Sequence, residues 1–149
     1  MKPRKWKHGT VGTVSHATMR KEDLIPSFTS ELRWLGHRSK ELTRIERESR
    51  KGDSYYESEE SDYDLQSLFD MLDSHAPPYM YFGSHPGDGA DYGFWISDSL
   101  EYDFDGLKVD DLSDVPADYT GEVLEVNDHG NMTLYSAKRG KLTEVWGVV

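Results

Sequence analysis

The chain has 149 residues, no cysteine, and 28 Asp or Glu against 17 Lys or Arg, which gives a formal charge of −11. Its length suits one domain with a modest core, and the missing cysteine excludes disulfides and thiolate zinc sites. No apolar run approaches the roughly 18 residues of a membrane helix, and the lysine-rich start lacks the apolar region of a signal peptide, so we expect a soluble cytoplasmic protein without membrane contact.

The charges are unevenly distributed along the chain. Residues 1–52 contain 13 Lys or Arg and 6 Asp or Glu, a balance of +7, whereas residues 53–149 contain 4 and 22, a balance of −18. Such asymmetry predicts partners: the basic part can bind phosphates or the chain's own acidic part, and the acidic part attracts basic surfaces.

Residues 1–26 are predicted to form a mobile basic arm, because basic and small polar residues surround only scattered apolar ones. Cations around Trp6 could bind nucleic acid by combining base stacking with phosphate pairing. The alternative is an ordinary solvated tail.

A single basic amphipathic helix is predicted over residues 27–52. Pro26 would precede it, Ser27 or Thr29 would cap it, and Gly36 would lie in its interior at a cost of about 1 kcal/mol. Its basic face invites a nucleic-acid or membrane role, and its apolar face either self-associates or packs on the same chain. The apolar face includes Phe28, Leu32, Leu35 and Leu42.

Residues 53–62 are predicted to be an acidic flexible linker, because Ser, Asp and Glu dominate them. A second helix is expected from Asp62 or Asp64, since Leu65, Leu68, Phe69 and Leu72 follow helical spacing. Pro77 and Pro78 bar its continuation.

Two aromatic-rich segments with alternating side chains flank the sequence SHPGDGAD and predict a β-hairpin over residues 79–97. The connection contains His85, Asp88 and Asp91, which could form a ligand loop for a nucleotide or, with His129, for magnesium, calcium or manganese. The alternative is a structural loop whose aspartates accept hydrogen bonds from its own amides.

The segment from Ser97 to Asp118 alternates acidic and apolar residues, which predicts one side packed on the core and a negative ridge on the other. This ridge either keeps the protein soluble or binds a partner, for example by imitating nucleic-acid phosphates. Its partner-binding candidates are Asp98, Glu101, Asp103, Asp105, Asp110, Asp111 and Asp114.

The last part of the chain has the clearest strand signals. GEVLEVNDHGNMTLYS predicts a hairpin over residues 121–136 that turns at NDHG, and the KRGK turn leads to a last strand over residues 142–149. Asp128 and His129 could be catalytic, but this turn chemistry favours a structural role for them.

The strings PPYMYFGSHPGDGADYGFW, DLSDVPADYTGEV and VNDHGNMTLY resemble those of small uncharacterised bacteriophage proteins over roughly the last half of the chain. The resemblance implies a phage origin and action in the host cytoplasm. It supplies no catalytic residue.

The patterns together predict an α+β fold with two N-terminal helices and a mainly antiparallel sheet of about five strands, the α+β domain occupying residues 63–149. The chain has no cysteine nucleophile, and it has none of the G-x-S-x-G, P-loop, H-E-x-x-H and G-x-G-x-x-G motifs. We therefore expect a non-enzymatic acidic protein that engages a basic host target, for example as a nucleic-acid mimic that inhibits a host defence system. The alternatives are a metal- or nucleotide-binding protein centred on SHPGDGAD, which could be an enzyme, and a nucleic-acid binder acting through the basic N-terminal region.

Overall fold

Residues 5–148 are described by a computed structural model and form five α-helices and two β-sheets, one of three strands and one of four. The α+β prediction is confirmed, but the prediction of two helices and one sheet of about five strands is wrong. The chain divides into two compact units, and the boundary along the sequence lies between Ser97 and Asp98, directly after the central hairpin. None of the helices within residues 5–148 has both the length and the apolar character needed to cross a bilayer.

The first unit contains helices α1 (Lys21–Trp34), α2 (Lys40–Ser49), α3 (Asp53–Tyr56) and α4 (Glu59–Asp73). The single helix predicted over residues 27–52 is therefore wrong. Helix α1 begins before Pro26, which it contains within its second turn. The predicted linker over residues 53–62 is also wrong, because α3 and the first turn of α4 occupy it.

Gly36 ends α1 and so divides the predicted helix. It adopts the left-handed conformation at φ +76°. The Gly36 amide donates to Arg33 O (3.1 Å) and the His37 amide to Leu32 O (2.9 Å), the two reversed hydrogen bonds of a Schellman motif. Ser39 then caps α2, since its side chain accepts from the Leu42 amide. The glycine is a terminator here and not a tolerated interior residue.

Strands β1 (Gly12–Ser15), β2 (Met80–His85) and β3 (Asp88–Ile96) form an antiparallel sheet in the order β1-β3-β2. Strand β1 lies within the predicted mobile arm, so that prediction is wrong for this part; residues 1–4 of the arm lie outside the described residues. Close approach of β1 requires glycine at position 93, where a Cβ would lie 2.1 Å from the carbonyl oxygen of Gly12.

The core of the first unit surrounds Phe28, which makes edge contacts with Phe69, Phe82 and Tyr92. The apolar face predicted to self-associate is buried in this core. Its four residues, Phe28, Leu32, Leu35 and Leu42, are at most 2% exposed. The alternative of packing on the same chain is thus the one observed.

The second unit contains α5 (Leu100–Asp103), β4 (Leu107–Val109), a 3₁₀ turn (Leu112–Asp114), β5 (Gly121–Val126), β6 (Met132–Lys138) and β7 (Lys141–Val148). The sheet order is β4-β5-β6-β7, with β4 parallel to β5 and the other pairs antiparallel. The predicted C-terminal hairpin and last strand are confirmed as far as residue 148; Val149 lies outside the described residues. Val109, Val123 and Ala137 form the centre of a small core.

Candidate binding surfaces

The acidic surface, as we name it, consists of the seven predicted carboxylates of the second unit, and all seven residues are exposed. They are Asp98, Glu101, Asp103, Asp105, Asp110, Asp111 and Asp114. Residues 98–149 contain 12 Asp or Glu and 4 Lys or Arg, a balance of −8. Net repulsion among these carboxylates favours a cationic partner over an anionic one.

Local turns set the orientation of the acidic surface. Leu100 and Val109 are buried, so they fix the inner side of the segment. Asp111 caps the 3₁₀ turn: its Oδ1 accepts from the Ser113 amide at 2.8 Å, and this hydrogen bond lowers the pKa of the Asp111 carboxyl. Lys108 Nζ lies 3.8 Å from Glu101 Oε2, at the outer limit of an ion pair. Among residues 5–148, none of the other six carboxylates of the acidic surface forms an ion pair.

Tyr102 lies between Glu101 and Asp103 on α5 and is 90% exposed. The alternating pattern predicted its side chain on the core side, and the structure contradicts this. The single turn of α5 breaks the alternation: with Leu100 buried, residue 102 faces solvent. An exposed tyrosine among carboxylates is the type of side chain that anchors a protein interface.

The predicted ligand loop is shorter than its sequence suggested. Strands β2 and β3 extend to His85 and Asp88, which pair with each other and leave Pro86 and Gly87 as the turn. His85 Nδ1 accepts from the Gly87 amide at 2.9 Å, and the His85 ring packs edge-on against Trp95. This histidine is therefore engaged within its own hairpin.

The two aspartates of the hairpin have separate partners. Asp88 Oδ1 accepts from the Ala90 amide at 3.0 Å, as the structural alternative predicts, whereas Asp91 Oδ1 accepts from the Thr13 hydroxyl of β1 at 2.8 Å. Across residues 5–148 no group of three or more His, Asp or Glu side chains is arranged to hold a metal ion. His129, the proposed fourth ligand, lies in the β5–β6 turn, where its amide donates to Asn127 Oδ1.

The segment before β1 is attached to the first unit by backbone hydrogen bonds. The Lys7 amide donates to Leu35 O and the Gly9 amide to His75 O, at 2.9 and 2.8 Å. Trp6, named above as a candidate for stacking on nucleic acid, stacks on the ring of His75 at 4.3 Å between centroids. Half of its surface stays exposed.

His75 is fully buried at the end of α4 and forms a pair with His37. Its Nδ1 lies 2.7 Å from Lys7 O and must donate, because a carbonyl only accepts. Its Nε2, 2.8 Å from His37 Nδ1, is then the acceptor of a neutral pair. Burial lowers the pKa of both histidines. The nearby His75 lowers the pKa of His37 further, and the nearby His8 lowers that of His75 further.

A basic cleft of about 660 Å³ lies where α1 meets α2. Five cationic side chains line it without any carboxylate: Arg33, Arg38, Lys40, Arg44 and Arg47. The hydroxyl-bearing residues Ser39 and Thr43 complete the lining. In the single helix predicted from the sequence, these cations lie on one face. Because the chain breaks into two helices at Gly36, they line a cleft. A glycine followed three residues later by a capping serine was the available signal.

Two arginines of the basic cleft are fixed by carboxylates outside it. Arg33 Nε donates to both oxygens of Glu46 at 3.1 and 3.2 Å, and its Nη2 donates to Thr43 Oγ1. Arg44 pairs with Asp64 at 2.6 Å, with Glu60 at 2.8 Å and with Glu41 at 3.0 Å. These hydrogen bonds raise the pKa of Arg44, which stays charged.

The Arg44 contacts extend into the core through Asp64, which is only 2% exposed. Tyr55 donates its hydroxyl to Asp64 Oδ2 at 2.7 Å. Burial and the adjacent carboxylate raise the pKa of Tyr55. This network links α2, α3 and α4, and thereby fixes the helix that carries most of the basic cleft.

Comparison of the chain with protein-family models, with curated proteins and with solved structures finds no significant match.

Proposed function

We propose that the chain is a non-enzymatic binding protein whose acidic surface engages a basic surface of another protein. The observation that carries this proposal is the exposure of Tyr102 among seven exposed carboxylates, most of which have no cationic partner within the described residues. An interface of this kind combines electrostatic attraction, which accelerates encounter, with an aromatic anchor that slows dissociation.

The energetic argument favours a partner over simple solubility. An exposed aromatic side chain leaves apolar area in water, and burying it contributes about 25 cal/mol per Å². Solubility alone requires dispersed charge and no exposed aromatic residue among the charges. The acidic residues add attraction at long range, which falls as salt concentration rises.

A more specific form of this proposal is a phage-encoded protein acting in the host cytoplasm on a nucleic-acid-binding protein. The carboxylates of the acidic surface then occupy the positions that phosphates take in the partner's nucleic-acid ligand. The cations of the partner lose little binding free energy when a carboxylate replaces a phosphate. The sequence resemblance and the negative charge of the second unit support this form.

The test is capture of host proteins on the immobilised chain, followed by calorimetric titration of each captured partner. Asp103→Lys/Asp105→Lys should weaken binding at least about tenfold, since two attractive charges become repulsive. Asp128→Lys/Glu144→Lys makes the same charge change on other exposed residues of the second unit and serves as the control. Duplex DNA should compete for the partner if the nucleic-acid mimic is correct.

Tyr102→Ala separates a specific interface from charge attraction alone. We expect it to weaken binding by about tenfold or more, the loss typical of an interface hot spot, and to leave the salt dependence unchanged. Equal weakening by both charge-reversal pairs, together with unchanged binding of Tyr102→Ala, would refute the proposed interface.

A further inference from the structure

We propose that the basic cleft of the first unit is a binding site for phosphate groups, carried by a nucleotide or by a nucleic-acid strand. This is a second binding function, separate from the acidic surface. Five cations converge on one concavity, no carboxylate lines it, and its volume of about 660 Å³ lies within the range of small-ligand sites.

Three of the five cationic side chains of the basic cleft are available to a ligand. Arg38 and Lys40 are exposed and form no ion pair with any residue in the described range 5–148. Arg47 has only a 3.9 Å approach to Glu48. Cations that line one cleft repel one another, so an anion bound among them relieves repulsion as well as forming new hydrogen bonds.

The guanidinium groups of the other two cations of the basic cleft, Arg33 and Arg44, are already oriented. Arg33 is held by Glu46, Thr43 and the carbonyl oxygen of His37. Arg44 is held by Asp64, Glu60 and Glu41. Side chains fixed in this way lose little further conformational entropy when a ligand binds. The guanidinium groups of Arg38 and Arg47 are not held in this way. Their planar geometry matches the oxygen geometry of phosphate, which is why phosphate is a better ligand here than a single carboxylate.

The hydroxyl-bearing residues Ser39 and Thr43 add polar groups at the N-terminal turn of α2. The Ser39 side chain is occupied by the Leu42 amide, and Thr43 Oγ1 lies 3.2 Å from Ser39 O. The start of α2 is therefore rigid, and its partial positive charge adds to that of the side chains. The cations and the cleft carry the inference, and the helix terminus only reinforces it.

The test uses two probes on the full chain: calorimetry with inorganic triphosphate, and fluorescence anisotropy with a short labelled oligothymidylate. At low salt of about 50 mM, Arg38→Ala/Lys40→Ala should weaken triphosphate binding by about tenfold or more, because two phosphate contacts are lost. Lys138→Ala/Lys141→Ala removes the same charge from the second unit and should change the dissociation constant by less than about threefold. The far-ultraviolet circular dichroism spectra should match the parent.

The two probes distinguish the sources of phosphate. Tighter binding of the oligothymidylate, with the same loss in Arg38→Ala/Lys40→Ala, identifies a nucleic-acid strand; tighter binding of triphosphate identifies a nucleotide. Absence of saturable binding to either probe would overturn the proposal, as would equal weakening by the two variant pairs. A concentration-dependent dimer that Arg38→Ala/Lys40→Ala dissociates, without phosphate binding, would also overturn it.

Discussion

Replacing Asp64 with alanine removes the carboxylate that Tyr55 and Arg44 share within the first unit. Asp64 is 2% exposed, and its oxygens accept at 2.7 Å from the tyrosine hydroxyl and at 2.6 Å from the guanidinium. Removing one member of a buried ion pair costs about 3–5 kcal/mol in general. The lower end applies here, because Arg44 is 30% exposed and keeps Glu41 and Glu60 as partners.

We therefore expect Asp64→Ala to lower the free energy of unfolding of the first unit by about 3 kcal/mol, including the buried Tyr55 hydroxyl that loses its acceptor. Tyr55→Phe should cost about 1 kcal/mol, the value of one hydrogen bond. Glu60→Ala, whose side chain is 53% exposed, should cost under about 0.5 kcal/mol.

Urea denaturation followed by tryptophan fluorescence measures these differences, because Trp6, Trp34 and Trp95 report on the first unit. Equal stability of Asp64→Ala and Glu60→Ala would refute the reasoning, because it would mean that burial of the carboxylate has no energetic consequence.

Three further outcomes follow from the described contacts. Both histidines of the His37–His75 pair have lowered pKa values, so the unfolded chain binds more protons than the folded chain. The melting temperature should therefore fall as the pH is lowered from about 7 to about 5. This fall should be less steep in His37→Asn than in the exposed control His129→Asn. Asp88→Ala should lower the free energy of unfolding by about 1 kcal/mol, because the carboxylate no longer accepts a hydrogen bond from an amide. Millimolar magnesium should not raise the melting temperature of the parent more than that of this variant. A rise in the parent alone would restore the metal hypothesis. Gly93→Ala should lower the free energy of unfolding by about 2 kcal/mol or more, because a Cβ there meets a carbonyl oxygen at 2.1 Å. Gly83→Ala is the control, since the nearest atom to a Cβ at that position is a ring carbon at 3.3 Å. Similar urea midpoints for the two variants would contradict this prediction.

The C-terminal hairpin was predictable because its information is local. Asn127 and Gly130 carry the turn, and alternation of apolar residues marks the strands on both sides. Helix α4 was likewise visible from its apolar spacing, although its start was placed several residues late. The capping Ser58 lay in a run of acidic and serine residues that also matched a linker.

The errors arose where a distant part of the chain decides the local structure. Strand β1 has few apolar residues, and its pairing depends on glycine at position 93 of β3. Pro26 indicated a helix start, but burial of Leu24 and Ile25 extends α1 to the N-terminal side of the proline. The candidate sites follow the same rule: exposure of the acidic residues was readable from their charge, although α5 breaks the predicted alternation, whereas the basic cleft depends on how two helices meet.

The pairing of β1 with β3 has a consequence for synthesis on the ribosome. Thr13 and Asp91, which join the two strands through their side chains, are 78 residues apart. At common elongation rates, about 4–16 s pass between the emergence of the two residues. During that interval β1 is an unpaired strand, and the first unit can close only when β3 has left the exit tunnel. The second unit, whose β5, β6 and β7 are successive neighbours, needs no comparable wait.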